Sequence, residues 1–334
     1  MERFSKYFDT KRINRSLDWR EQSIAARKAD SRHLSKNIEP MDCPICGSAD
    51  NEHMVQIYGF DYGICDNCGV ARMLQIPASQ SLRDFYTDGA YEAEKQPGED
   101  LISTDSFHER VNLISTPKVQ HVLDNLNKPA PYWVDIGCGV GDLVQAANNL
   151  GAKAIGYDID MREISHGIAM GANIKNVDIT DENAGELLGE ADIISLISVI
   201  EHVPNPHHML KSILDHSKPD ATIVIEVPRF HSISSLTNLC FTNLVARHML
   251  PPQHLSLFTD ESFKYLADSL ELSIDHVWYY GSDANEIFGT LLQQSVMAER
   301  HFGDRIYDLI LDIQQVFDRH KLCDEMFVML SKRQ

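Results

Sequence analysis

Residues 134–142 of this chain read Val134-Asp135-Ile136-Gly137-Cys138-Gly139-Val140-Gly141-Asp142. An apolar, strand-like run ends in a glycine-rich turn, and a helical run follows. In doubly wound sheets, ligands bind at the carboxyl ends of strands beside helix N-termini, and glycines let the backbone approach them closely. Dinucleotide folds use the spacing G-x-G-x-x-G, whereas here the third glycine comes one residue earlier, at Gly141. The turn therefore predicts a ligand site and leaves the kind of nucleotide cofactor open.

Strand-like and helix-like runs alternate after this turn. The strand-like runs are 132–136, 154–158, 174–177, 192–198 and 222–227, and the helical runs between them are 142–150, 161–170, 181–188 and 206–216. Two further strand-like runs, 274–280 and 326–330, enclose a helical stretch at 285–322. Such alternation predicts an α/β fold, in which a parallel sheet carries helices on both faces and right-handed crossovers join the strands.

Acidic residues follow the second and third predicted strands. Asp158 lies about 20 residues past the glycine turn, where a carboxylate can accept hydrogen bonds from both hydroxyls of a ribose. Asp160 suits a helix N-cap better than a ligand contact. Asp178 can accept a hydrogen bond from an adenine amino group, and Ile179 can cover the ring. Read alone, Asp178 fits a turn residue, and the order of the strands favours the ligand contact. The position of Asp158 fits NAD as well as S-adenosylmethionine.

A fourth motif separates these cofactors. Ser198-Val199-Ile200-Glu201-His202 follows the fourth strand, and Lys218-Pro219-Asp220 precedes a strand that ends at Pro228. In combination with the glycine turn, this pattern resembles class I S-adenosylmethionine-dependent methyltransferases over roughly residues 107–280. Members carry acid-x-Gly-x-Gly-x-Gly, an acid ending strand two, and a hydrophobic-Glu-His motif after strand four. Their usual double glycine after the proline is replaced here by Asp220 and Ala221.

The resemblance implies a Rossmann-like, seven-stranded methyltransferase sheet whose last strand is antiparallel, with 282–322 as a helical insertion before that strand. It also implies that S-adenosylmethionine is the cofactor. The implied cofactor-binding residues are Asp135, Gly137, Cys138, Gly139 and Gly141 at the methionine end, Asp158 and Ile159 at the ribose, Asp178 and Ile179 at the adenine, and Ser198 and Val199 beside the sulfonium. His202 would shape the methionine pocket or take part in the chemistry.

Four cysteines form two C-x2-C pairs in front of this region. Cys43 and Cys46 are followed after 18 residues by Cys65 and Cys68. Two pairs at this spacing match a four-thiolate tetrahedral zinc site, and a zinc ion with all four positions filled by protein is structural. The alternative, a redox dithiol, does not need two spaced pairs. We therefore expect a zinc ribbon at residues 41–75.

The ribbon and the residues after it look like those of a bacterial methyltransferase subfamily, many of whose members act on sugars or other small metabolites. The likeness rests on 62–71, on Pro77 and on the run 84–91, which contains Tyr86 and Tyr91. The segment 251–259 resembles the His-Glu-His-Leu-Ser-Tyr-Phe-Ser segment of sugar C-methyltransferases. His254 matches its second histidine and becomes the candidate catalytic base, with a core or capping histidine as the alternative.

Charge and composition limit the class of partner. The chain has 334 residues, with 49 Asp and Glu against 30 Lys and Arg and a net charge of −19. This balance argues against a nucleic-acid substrate, because neutralising many phosphates needs a basic face. No run approaches 18 apolar residues, so we expect no membrane span, and with no signal-like N-terminus we expect a cytoplasmic location.

The chain divides into a basic helical arm at 1–40, the ribbon at 41–75, a linker at 76–106 that contributes to the substrate cleft, and the methyltransferase domain at 107–334. The arm or the helical insertion could join a homo-oligomer. We expect methyl transfer to a small molecule, such as a sugar nucleotide or a glycan or natural-product precursor. The alternatives are an RNA methyltransferase that grips RNA with its ribbon, a non-catalytic cofactor-binding module and an NAD-dependent enzyme.

Overall fold

A computed structural model describes residues 1–4, 17–78, 80–82, 104–126, 128–180 and 182–333. Its strands, numbered along the chain, are β1 (Glu2–Phe4), β2 (Ile38–Pro40), β3 (Asn51–Ile57), β4 (Phe60–Cys65), β5 (Ala71–Met73), β6 (Gln75–Pro77), β7 (Tyr132–Ile136), β8 (Lys153–Asp158), β9 (Ile174–Asn176), β10 (Ile193–Ile197), β11 (Thr222–Pro228), β12 (Ser256–Leu257), β13 (Leu272–Tyr280) and β14 (Glu325–Lys332).

Helices cover both faces of the main sheet and form the predicted insertion. They are α1 (Leu17–Leu34), α2 (Thr104–Glu109), α3 (Thr116–Asn125), α4 (Asp142–Asn149), α5 (Met161–Ala169), α6 (Ala184–Leu188), α7 (Pro206–His216), α8 (Ile233–Cys240), α9 (Asp260–Ser269), α10 (Asp283–Gln293), α11 (Val296–Tyr307) and α12 (Ile310–Arg319). A π-helical turn, Arg110–Ser115, joins α2 to α3. In the described part of the chain, none of these helices has both the length and the apolar character that a membrane span needs.

The main sheet has the strand order β1-β13-β14-β11-β10-β7-β8-β9. The neighbours of β14 run antiparallel to it, and the other pairs in the sheet are parallel. This arrangement confirms the Rossmann-like methyltransferase sheet with an antiparallel last strand. An eighth strand, β1, extends it by pairing with β13 from Glu2↔Val277 to Phe4↔Tyr279. Three residues are too few for a periodic pattern, so the sequence does not indicate this strand.

Apolar residues on both faces of the sheet form the core. Along β7, Trp133 belongs to one buried cluster and Val134 to the other, and Ile193 and Ile194 of β10 divide in the same way. Burial on both faces explains why these strands read as continuous apolar runs rather than as alternating ones. Because β11, β10, β7 and β8 are neighbours and pair in parallel, their carboxyl ends lie side by side along one end of the sheet.

The cysteine-rich ribbon is joined to the rest of the chain by a shared sheet. Its strands form a four-stranded sheet in the order β12-β5-β4-β3, so that β12, which follows β11 in the chain, pairs with β5. The ribbon cysteines Cys43, Cys65 and Cys68 lie in the same buried cluster as Leu196 and Phe258. The ribbon therefore packs against the main core and does not form a separate domain.

Among the described residues of the N-terminal arm, α1 is helical, whereas residues 2–4 and 38–40 form strands. Arg20 of α1 pairs with Glu286 of α10 at 2.6 Å, and both side chains are buried. A second Arg20 nitrogen donates to the Leu244 carbonyl at 3.0 Å. The arm thus docks on the insertion of its own chain. Tyr86 and Tyr91, expected to close the cleft, lie outside the described residues.

Candidate active site

Each glycine of the turn after β7 adopts a left-handed backbone. The φ angles of Gly137, Gly139 and Gly141 are 67°, 52° and 76°. A Cβ placed on Gly137 would lie 2.6 Å from Cγ2 of Val199, which follows β10. Strain and lack of room together require glycine at this position. The turn brings the residues after β7 and β10 into direct contact, as a ligand site shared by these strands requires.

Asp158 ends β8 and binds the glycine turn directly. Its Oδ2 accepts the Gly139 backbone N–H at 2.7 Å, and its Oδ1 accepts the N–H groups of Ile159 at 2.6 Å and Asp160 at 2.9 Å. The half-buried carboxylate thus lies where the second strand meets the turn. The Asp160 side chain accepts the Arg162 N–H at 2.8 Å, which confirms it as the N-cap of α5.

Asp135, the acid of the turn motif, is 2% exposed. Its Oδ1 accepts the Ser195 hydroxyl at 2.5 Å, and that hydroxyl accepts the Trp133 indole N–H at 2.7 Å. Burial and, to a smaller extent, the nearby Asp142 and Asp158 carboxylates raise the pKa of the Asp135 carboxyl to about 7, although the Ser195 hydrogen bond lowers it. A cationic ligand group placed near Asp135 would favour its ionised form.

Arg110 is a candidate site residue that the sequence motifs do not reveal. It lies on the π-helical turn, and its Nη2 pairs at 3.0 Å with Asp142, the residue directly after the glycine turn. The Ser115 hydroxyl also donates to Asp142, and Arg110 and this hydrogen bond hold the pKa of Asp142 below its usual value against burial. Arg110 keeps 36% of its side chain exposed beside the turn. Only the fold brings residues 110 and 142 together, although π-turns often mark functional sites.

The other predicted cofactor residues follow the ends of neighbouring strands. Ile159 is exposed after β8, Asp178 is exposed and Ile179 half-buried after β9, and Ser198 is exposed after β10 with φ at 55°. Cys138 differs, because its side chain is buried in the core. A Cβ on Gly156 of β8 would lie 2.5 Å from the Cys138 Sγ. Any cofactor contact by Cys138 would therefore involve its backbone.

The segment 253–258 lies against the ends of β10 and β11. The N–H of Leu255 donates to the Glu201 carbonyl at 2.8 Å, and the N–H of Phe258 donates to the Pro228 carbonyl at 3.0 Å. These bonds bring the two predicted catalytic histidines together, with the ring centroids of His202 and His254 4.8 Å apart. The sequence patterns identify both histidines as candidate catalytic residues but do not predict that their rings are in contact.

Burial controls the charge of these histidines. It lowers the pKa of His202 to about 4, although the Gln253 carbonyl at 2.9 Å from Nδ1 opposes the shift. Burial also holds the pKa of His254 well below its usual range, with further contributions from His202, His248 and Arg27. Both rings are therefore neutral near pH 7. Neutral imidazoles can accept a proton or bind a metal ion.

The four ribbon cysteines converge in the way a zinc ion requires. Sγ of Cys43 lies 3.5 Å from that of Cys68, and Sγ of Cys46 lies 3.5 Å from that of Cys65. Thiolates around tetrahedral zinc are about 3.8 Å apart, given Zn–S bonds of about 2.3 Å. Gly47 and Gly69, with φ of 72° and 75°, close the two knuckle turns. The donor set thus fits structural zinc.

The strand order, the glycine turn and the acid that ends β8 together define a class I S-adenosylmethionine-dependent methyltransferase. A family described as "Methyltransferase domain" matches residues 107–277, which is half of the chain. The chain belongs to this family.

Curated relatives match part of the chain. The ubiquinone biosynthesis O-methyltransferase of Pseudoalteromonas translucida is 28% identical over 95 residues, which cover 27% of this chain and 40% of that protein. The enzyme of the same name from Aliivibrio fischeri is 30% identical over 112 residues, covering 32% of this chain and 48% of its own. The chain thus spans half or less of the length of these relatives.

Solved structures of methyltransferases are similar to parts of this chain. The plantazolicin methyltransferase BamL, in complex with a desmethyl analogue and SAH, covers 76% of this chain and 94% of its own, with 17% identity and a TM-score of 0.48. A SAM-dependent methyltransferase from Archaeoglobus fulgidus covers 69% of this chain and 97% of its own, with 18% identity and a TM-score of 0.45.

Proposed function

We propose that this protein transfers the methyl group of S-adenosylmethionine to a hydroxyl of a small molecule. The observation that carries the proposal is the direct bond between the Asp158 carboxylate and the Gly139 N–H, because it joins a ribose-binding acid to a glycine turn. Membership of the methyltransferase family supports the reaction class. An oxygen acceptor is supported by the relatives, which are named as O-methyltransferases.

The cofactor would lie over the ends of β7, β8 and β9. Asp158 would hold the ribose, Asp178 and Ile179 the adenine, and the glycine turn with Asp135 the methionine end. Arg110 is suited to the cofactor carboxylate, because a partly exposed guanidinium beside the turn can bind a carboxylate through two nitrogens.

The acceptor would occupy the half of the cleft over β10 and β11. His202 and His254 would line that half with the buried Glu201 beside them, and each histidine offers an apolar ring with a polar edge. A small polar acceptor such as a sugar nucleotide or a natural-product precursor suits such a wall. The net charge of −19 opposes RNA as the acceptor.

Methyl transfer is an in-line displacement. This chain would support it by aligning the acceptor oxygen with the methyl group and by helping to remove the proton of the acceptor. The acceptor oxygen loses its proton and bonds to the methyl carbon, while the carbon–sulfur bond breaks with its electron pair going to sulfur. The products are a methyl ether and S-adenosylhomocysteine. Neutral His254 is our candidate for assisting the loss of the proton, and the ribbon zinc would keep a structural role.

The test is product formation by the full chain. Purified protein is incubated with S-adenosylmethionine and a panel of sugar nucleotides, phenols and RNA, and S-adenosylhomocysteine is measured by mass spectrometry. We expect product with a hydroxyl-bearing small molecule and none with RNA. Tight binding of S-adenosylhomocysteine without turnover on any acceptor would instead favour a non-catalytic cofactor-binding module, and methylated RNA would favour the nucleic-acid alternative.

A further inference from the structure

Glu201 is a fully buried carboxyl group that lacks the partners such a group needs. Its exposed fraction is 0%, and neither side-chain oxygen has a hydrogen-bond partner among the described residues. Leaving a buried polar group unsatisfied costs roughly 1–3 kcal/mol, and more for a charged group. Glu201 must therefore carry a proton or lie beside a cation that the described residues do not supply.

Two histidine nitrogens converge on this carboxyl group. Nδ1 of His202 lies 2.9 Å from the Gln253 carbonyl and must donate to it, so Nε2 carries the lone pair. That Nε2 lies 3.7 Å from Oε1 of Glu201. Nδ1 of His254 is buried with no hydrogen-bond partner in the described part of the chain. One ligand atom from each of these three residues lies within 4.8 Å of the other two.

We propose that Glu201, His202 and His254 bind a divalent transition-metal ion at the acceptor side of the cleft. Two imidazoles and one carboxylate are a common ligand set for zinc and for iron(II), and leave positions open for substrate. Ligands about 2.1 Å from a shared ion lie about 3.0–3.4 Å apart, so binding would draw these three groups together by roughly 1 Å. The ion is distinct from the ribbon zinc, which has its own four thiolates.

The neighbouring group His248, Asp324 and Glu325 differs from the Glu201 group because an arginine pairs with its carboxylates. There, Arg247 donates to Asp324 at 2.9 Å and to Glu325 at 2.9 Å, so a cation of the chain already compensates the carboxylates. Arg27, which influences the pKa of both His202 and His254, donates its guanidinium N–H to the side chain of Gln253. The described residues thus leave the Glu201 carboxylate without an arginine or lysine bonded to it.

An ion at this position would change how the acceptor loses its proton. This role rests on the proposed methyl transfer, whereas the binding of the ion does not. A hydroxyl that contacts the ion has a lowered pKa, and its proton passes to solvent. His254 then acts as a ligand rather than as the base, and the substrate class becomes hydroxyl acceptors whose oxygen can contact a metal.

The competing account is that a proton on Glu201, rather than a metal ion, neutralises its buried carboxyl group. Burial raises the pKa of Glu201 well above its usual value, so a neutral carboxylic acid could donate to Nε2 of His202. Glu201→Gln separates the two accounts, because a neutral amide reproduces the donor and the shape but is a far weaker metal ligand. Glu325→Gln is the matched control, since it alters a buried carboxyl group that Arg247 already holds.

The experiment is a cobalt(II) titration of the full chain with its ribbon zinc in place. We expect one cobalt ion per chain with visible bands of nitrogen and oxygen ligands and no thiolate charge-transfer band. Glu201→Gln should weaken cobalt binding by at least about 100-fold, more than loss of a supporting residue costs. Cobalt binding in Glu325→Gln, and S-adenosylhomocysteine binding in both variants, should stay unchanged.

Absence of cobalt binding to the wild-type chain would overturn the proposal, whatever the variants do. So would a Glu201→Gln variant that binds cobalt and turns over as the wild type does, since this is what the protonated carboxyl predicts. A chain that binds cobalt as described but neither binds S-adenosylhomocysteine nor methylates any acceptor would refute the proposed function while leaving the metal site standing.

Discussion

The Oδ2 atom of Asp158 accepts a hydrogen bond of 2.7 Å from the backbone N–H of Gly139. Asp158 ends β8, and Gly139 lies 19 positions earlier, in the turn after the neighbouring strand β7. The bond therefore connects the turn to the end of β8, where a nucleoside would bind. The carboxylate is therefore held in place before any ligand arrives. An acid fixed in this way can bind ribose hydroxyls without a further ordering cost.

Removing this carboxylate should weaken cofactor binding. Asp158→Ala loses a charge-assisted hydrogen bond to the ribose, worth about 1.5–3 kcal/mol, so the Kd for S-adenosylhomocysteine should rise roughly ten- to a hundredfold. Asp160→Ala is the control, because Asp160 only caps α5. Calorimetric titration of both variants checks the prediction. Equal, small losses would remove Asp158 from the site.

The glycine turn should tolerate no side chain at its first position. Gly137→Ala places a methyl group 2.6 Å from Val199 and forces a left-handed backbone, a strain of about 1–2 kcal/mol, so both the Tm and cofactor affinity should fall. Gly151→Ala is the matched control, since Gly151 also has a positive φ but nothing within 4 Å of the added Cβ. Thermal melts with and without S-adenosylhomocysteine measure both effects. If Gly151→Ala lowers cofactor affinity as much as Gly137→Ala does, the close approach to Val199 is irrelevant.

Cofactor affinity should depend on pH through Asp135. Burial raises the pKa of this carboxyl to about 7, so it is largely neutral in the unliganded protein below that pH. The cofactor sulfonium favours the carboxylate, so binding releases a proton and affinity rises as the pH increases through about 7. Folding stability moves the opposite way, because the contribution of a raised pKa is complete below the unfolded value of 3.8 and is lost as the pH climbs to about 7.

The measurement is a set of S-adenosylmethionine titrations from about pH 6 to about pH 8, with Asp135→Asn alongside. Subtracting the profile of the variant removes the titration of the cofactor itself. If the affinity of the wild type changes with pH in parallel with that of Asp135→Asn, the cofactor charge does not alter the protonation of Asp135.

Loss of the ribbon zinc should disturb the acceptor segment and spare the sheet. We expect one zinc ion at the four ribbon thiolates. Because β12 pairs with β5 and the Tyr62 hydroxyl donates to the His254 carbonyl at 3.2 Å, chelation should raise amide hydrogen exchange in 51–73 and 254–259. The strands β7 to β11 should keep their protection, since their core is large enough to fold without the metal. Exchange that rises equally everywhere, or zinc-free purified protein, would contradict this.

His254→Ala should lower kcat by about 10²–10⁴ while leaving the Kd for S-adenosylhomocysteine unchanged. The reduction is expected whether the ring acts as a base or as a metal ligand, because both roles concern the acceptor oxygen. His53→Ala, at an exposed histidine of the ribbon, is the control. A fall in Tm together with equal losses of cofactor binding and turnover would identify His254 as a structural residue.

The sequence predicts the catalytic sheet because each of its features is local. The turn at 137–141, the strand-end acid Asp158 and the apolar runs each lie within a few residues, and right-handed crossovers limit how they can be arranged. The same holds for the cysteine pairs, whose spacing predicts a zinc ribbon and whose sulfur atoms the structure brings together.

The features that the sequence could not show depend on distant pairs. Strands β1 and β12 are three and two residues long, and they exist only because β13 and β5 offer them an edge. Arg110 reaches Asp142 across 32 residues, and Glu201 meets His254 across more than 50. No periodicity or motif encodes such contacts, so the sequence gives candidate residues for the acceptor side but not their convergence.

The most direct test of the account is a crystal structure of the chain with S-adenosylhomocysteine. We predict that the ribose contacts Asp158, that the homocysteine portion lies along Gly137–Gly141, and that the sulfur faces the half of the cleft lined by Glu201, His202 and His254. A cofactor bound elsewhere, or one whose sulfur points away from these three residues with His254 held only by backbone, would contradict it.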